Sequence, residues 1–96
     1  MPNNLYRVTR NEDIDYDEWS MFIVAAPDEH TARRVHPSAR ISPKWDEADQ
    51  CWYFRGVTGY DHGWTTSIDG LEVVLLGTAA DNIPSLTVIC ASFHAG

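Results

Sequence analysis

The chain has 96 residues, 44% apolar and 11% aromatic, and its 14 acidic against 7 basic side chains give a formal charge of −7. That length leaves room for a single domain over residues 1–96 with one core, and the charge argues against direct binding of DNA or RNA, whose phosphates draw their affinity from lysine and arginine. No apolar run reaches the roughly 18 residues that cross a bilayer, and the opening Met-Pro-Asn-Asn has neither the basic nor the apolar part of a secretory leader, so the expectation is no membrane and a cytoplasmic protein.

Leu5 to Thr9 alternates Leu5, Arg7 and Thr9 with Tyr6 and Val8, which predicts a half-buried strand. Asn11 to Trp19 is too long for a two-residue hairpin turn and rich in Asp, so it reads as an extended acidic loop, a kind of segment that is often functional. Met21 to Ala26 is apolar without alternation and predicts a second strand, paired centrally or covered on both faces. Asp28 is placed to cap a helix and Glu29 to favour its positive end. Ala32, Val35 and His36 then give an inward stripe, and Pro37 stops the helix after about two turns. His36 to Asp49 is mixed in character and reads as a loop that delivers Trp45 to the core. Cys51 to Val57, with Trp52, Tyr53 and Phe54 in sequence, predicts a third strand. Gly56, Gly59 and Gly63 loosen the chain after it, and the most apolar segments, Leu71 to Leu76 and Leu86 to Phe93, are expected to be central strands. The order β-β-α-β-β-β predicts an α+β fold, a mainly antiparallel sheet of about five strands with one short helix packed on it.

The charge is unevenly laid out. Seven acids and no lysine or arginine lie between Asn11 and Ala32, whereas Arg33, Arg34, Arg40 and Lys44 hold four of the seven bases within twelve positions, and none follows Arg55. Such a polarised field favours encounter with a basic surface and is sensitive to salt. Asp13, Asp15 and Asp17 occupy alternate positions, so in an extended segment they share a face at roughly 6.6–6.8 Å intervals, near the spacing of successive phosphates on a single strand, while Ile14 and Tyr16 face away. The same run resembles the first half of a calcium loop, but Glu18 stands where such a loop needs glycine and Val24 where it needs a bidentate glutamate. Solvation alone also accounts for an acidic run.

Cys51, His62, Cys90 and His94 are the soft ligands of the chain, and only Cys90 and His94 are close, at a spacing that a strand stretches to about 13 Å. Both cysteines are therefore expected to be reduced, small buried hydrophobes, with no metal. There is no nucleophile elbow, no metalloprotease pair and no phosphate-binding glycine loop, so neither a catalytic residue nor a cofactor is assigned. Four tryptophans are many for this length. Trp45 and Trp52 are assigned to the core, while Trp19, beside the acidic loop, and Trp64, in the glycine-rich segment, are weighed both as core residues and as interface anchors.

The runs Leu5-Tyr6-Arg7-Val8-Thr9-Arg10, Asp13, Tyr16-Asp17-Glu18, Val24-Ala25-Ala26, Ala32-Arg33, His36-Pro37-Ser38, Leu75-Leu76-Gly77-Thr78-Ala79 and Ala91-Ser92-Phe93-His94-Ala95-Gly96 together resemble a family of short phage and prophage proteins of uncharacterised function. His94 departs from that pattern, which carries Asn there, and Ile41 to Asp69 lies outside the likeness. The resemblance implies a phage context. In size and charge the chain is also similar to small acidic phage proteins that block host machinery, anti-CRISPR proteins and DNA mimics among them. The expected function is accordingly a non-enzymatic accessory protein that inhibits a host protein by binding its basic, nucleic-acid-binding surface through Glu12, Asp13, Asp15, Tyr16, Asp17, Glu18, Trp19 and Trp64. The alternatives are a phage assembly module that pairs with itself, for which a homodimer is compatible, and a small enzyme or metal-binding protein.

Overall fold

In the computed structural model, residues 2–11, 18–38, 43–58 and 63–94 are described. In chain order they form β1 (Asn4–Thr9), β2 (Glu18–Ala26), α1 (Glu29–Ala32), β3 (Lys44–Asp46), β4 (Cys51–Phe54), β5 (Val57–Thr58), a 3-10 turn (Ile68–Gly70), β6 (Glu72–Thr78) and β7 (Thr87–His94). The mainly antiparallel expectation holds, but the described strands number seven in two sheets rather than about five in one.

β1 and β2 pair antiparallel from Asn4↔Ala26 to Thr9↔Met21. Because side chains alternate across a strand, Tyr6 and Val8 stand beside Val24 and Phe22 on one face, and all four are buried. Val73 of β6, Val88 and Ala91 of β7 and the buried rings of Trp52 and Trp64 pack around them. β3, β4 and β5 form the smaller sheet. It carries Trp52 into the core, where its indole Nε1 donates to Thr65 O at 2.8 Å. Trp45 packs against it edge-on, with ring centroids 5.1 Å apart, so the two tryptophans assigned to the core do pack there, Trp45 partly exposed.

Three expectations are corrected. The segment around Trp45 is not a loop throughout, because Lys44–Asp46 pairs with Cys51–Tyr53 as a short hairpin. The helix is one turn, not two. Asp28 caps it as expected, accepting from Thr31 N at 2.8 Å, but Arg34 N and Val35 N then close tighter bonds to Thr31 O and Ala32 O, and Val35 leaves to bridge Lys44. The most apolar segments are also not central: the large sheet runs β6-β1-β2-β7, which puts them at its two edges. An apolar run reports burial on its faces but not whether a second strand lies alongside, and here Leu75, Leu76, Ile89 and Phe93 remain between 45% and 60% exposed. No helix among the described residues is long and apolar enough to cross a membrane.

Candidate functional site

The acidic run lies between two well-anchored ends. On the β1 side, Arg10 N donates to Ser20 O at 3.1 Å and Asn11 Nδ2 to Gly70 O at 3.1 Å. On the β2 side, Trp19 N donates to Gly63 O at 2.8 Å. Arg10 binds both ends together. Its guanidinium Nη1 donates to Trp19 O at 3.3 Å and to Gly63 O at 3.5 Å, lies 3.6 Å from Glu18 Oε2 and is only 6% exposed. Two of the expected partner-binding residues, Glu18 and Trp19, therefore belong to the start of β2 and not to a loop. Glu12, Asp13, Asp15, Tyr16 and Asp17 lie outside the described residues.

The two tryptophans weighed as anchors separate. Trp64 is fully buried. It meets Phe22 edge to face at 5.3 Å and forms the floor under the Arg10 guanidinium, 5.9 Å from its carbon. It is a core residue and presents no ring surface to a partner, because Gly63 is bonded to Trp19 N of β2 and the ring next to it packs on Phe22. Trp19 is half-buried against the core and stacks at a tilt on Phe93, with ring centroids 4.7 Å apart. Phe93 is 45% exposed, so this aromatic pair reaches the surface beside Glu18. The reading of Leu86 to Phe93 as a buried central strand hid Phe93. Its signal in the sequence is that residues 82–96 contain no Asp, Glu, Lys or Arg.

Arg10 and Arg33 turn to the protein's own carbonyls, whereas Arg7, Lys44 and Arg55 are exposed. Arg33 Nη1 donates to Ile68 O at 3.0 Å and Leu71 O at 2.7 Å, while its Nη2 pairs with Glu29 at 2.8 Å. Arg34 pairs with Glu47 through Nε and donates to His30 O at 2.8 Å. Arg10 and Arg33 thus tie loop carbonyls together beside the core, while Arg34 is held at the surface, a use that composition does not reveal. The carboxylates respond in turn: the Thr31 backbone N–H holds the Asp28 carboxyl below its ordinary value, and the Arg34 hydrogen bond does the same for Glu47.

No three His, Cys, Asp or Glu converge on a cation position among the described residues. Cys51 is half-buried and Cys90 exposed, both free, so Cys90 is not the buried hydrophobe expected. His36 is a core histidine, 3% exposed, its Nδ1 accepting from Ser38 N at 3.0 Å and its ring edge-on to Trp52. A cavity of about 530 Å³ opens between Arg34, His36, Lys44 and Trp45 on one side and Leu86 and Val88 on the other. Its lining includes His36, Lys44 and Thr87; His36 Nδ1 is engaged by Ser38 N and the Thr87 hydroxyl donates to Pro84 O. No protein-family model, curated protein or solved structure matches the chain.

Proposed function

We propose that the protein is a non-enzymatic binding module that occupies a basic, nucleic-acid-binding surface of another protein. The observation that carries this reading is the excess of acid together with the engagement of Arg10, Arg33 and Arg34 by groups of the chain itself. Arg10, Arg33 and Arg34 are held by backbone carbonyls and by Glu18, Glu29 and Glu47, and the chain as a whole keeps a formal charge of −7. Asp13, Asp15 and Asp17, with Glu12 and Tyr16 among them, supply the charge facing the partner. Trp19, carried on a rigid strand beside them, supplies apolar contact of the kind that dominates interfaces. Long-range attraction speeds the encounter and the aromatic contact slows dissociation. The resemblance of both chain ends to phage and prophage proteins makes a bacterial host protein the expected target, and inhibition the consequence of covering its nucleic-acid site. The reading involves no cofactor and no metal.

The test is affinity capture from a bacterial lysate by the tagged protein at low and at high salt, with the bound proteins identified by mass spectrometry. The expected result is a nucleic-acid-binding protein retained at low salt and released at high salt. Capture of no such protein, or of one indifferent to salt, overturns the reading.

A further inference from the structure

A cavity of about 530 Å³ forms where three pieces of chain meet: the turn after α1, the residues that open β3 and those that open β7. Its volume falls inside the roughly 300–1,000 Å³ of ordinary small-ligand pockets, which likewise combine apolar walls with a few polar groups. Val35, Pro43, Trp45, Leu86 and Val88 form the apolar walls. The chain has 14 acids to 7 bases, yet no acid is among the described lining residues. Of the two cations there, Arg34 is paired with Glu47, whereas Lys44 is exposed and takes part in none of the ion pairs among the described residues. The described lining thus presents one uncompensated positive charge in a protein whose overall charge is negative. Two features of the walls are costly. Leu86 holds φ at 69°, the left-handed region in which Cβ crowds the following carbonyl, and it is pinned there by its N–H, which donates to Ala25 O at 2.7 Å. Its side chain is 52% exposed at the cavity, and strain of this kind gathers at ligand clamps. The indole Nε1 of Trp45 is buried with no acceptor among the described residues, a cost that folded chains ordinarily avoid.

We propose that this cavity binds a small amphipathic monoanion, an aromatic carboxylate whose ring lies against Trp45 and Leu86 and whose charge is met by Lys44. The occupant carries one negative charge and not two, because Glu47 already compensates Arg34. A neutral apolar molecule leaves Lys44 unused, and a cation meets the wrong sign. An aromatic body suits the site because the partly exposed Trp45 ring gains more from a second ring than from the same apolar area in an alkyl chain. The inference stands apart from the proposed function, and its test uses no protein partner, so either can fail alone.

Calorimetric titration of the full chain with naphthoate at low salt is expected to give a Kd below about 1 mM, with the Trp45 indole N–H resonance shifting as the site fills. Naphthamide, the same ring without the charge, is expected to bind at least about threefold more weakly. The overall charge of −7 repels anions, so a preference for the acid reports the local cation. Lys44→Gln is expected to remove that preference and bring the acid to the level of the amide. Leu86→Gly, which suits the left-handed backbone, is expected to keep the thermal midpoint of the wild type while weakening both probes at least about threefold. That combination separates a ligand contact from a structural one. Absence of naphthoate binding below about 1 mM, an unmoved Trp45 indole resonance, an amide that binds as tightly as the acid, a preference that survives Lys44→Gln, or unchanged binding in Leu86→Gly overturns the inference.

Discussion

Arg10 concentrates several interactions in one side chain. It is nearly buried, spans Trp19 O and Gly63 O and meets Glu18. Arg10→Ala removes a donor from each of those carbonyls and the ion pair with Glu18, and is expected to cost about 2–3 kcal/mol. The urea midpoint reads this, with an unchanged slope showing that the unfolded state is not altered. Arg10→Lys recovers only part of the loss, because an ammonium lacks the fork that reaches two carbonyls. Trp52→Phe removes a buried donor to Thr65 O along with ring volume, and is expected to cost about 1–3 kcal/mol in the same measurement. Asp28 and Glu47 set part of the acid response. Their folded-state carboxyls titrate below their ordinary values, so their contribution is complete above the unfolded pKa and is lost as pH falls through the folded one. Stability is therefore expected to decline below about pH 4, and Asp28→Asn, which keeps the cap acceptor without titrating, to flatten that decline. The Asp28 cap was legible in the sequence because it acts over three residues. The place of Trp64 was not, since its burial depends on Gly63 meeting Trp19 far along the chain.

At the scale of elements, local pattern and tertiary placement part company. β1 and β2 were legible from their apolar residues, and β6 and β7 from their β-branched runs bounded by glycine and proline. The Lys44–Asp46 strand escaped notice because three residues carry too little periodicity, and Pro43 before it argued for a loop. The β4–β5 connection turns on Arg55 at φ 49° and Gly56 at φ 82°. That is the pattern of a two-residue turn whose twist matches its strands. Gly56→Ala forces a side chain into that left-handed region and is expected to cost about 1 kcal/mol, read from thermal unfolding against wild type. Which strands lie at the edges could not be read, because pairing partners for β1 and β2 come from the far end of the chain.

For the whole molecule, charge and apolar surface are segregated. Half of the acid falls within residues 12–29, while the large sheet ends on β6 and β7, whose stretches 73–78 and 87–93 carry no charge. The charge arithmetic was legible from composition. What it missed was the turning of Arg10 and Arg33 to the protein's own carbonyls, which only the folded chain assembles. In the proposed function the acidic run competes with nucleic acid for its partner's surface. Displacement of a fluorescent oligonucleotide from the captured partner, by wild-type protein and by the Asp13→Asn, Asp15→Asn, Asp17→Asn triple variant at low salt, reads that competition. Displacement by the wild type and a loss of at least about tenfold in the variant are expected; a triple variant that displaces as well as wild type rules the competition out.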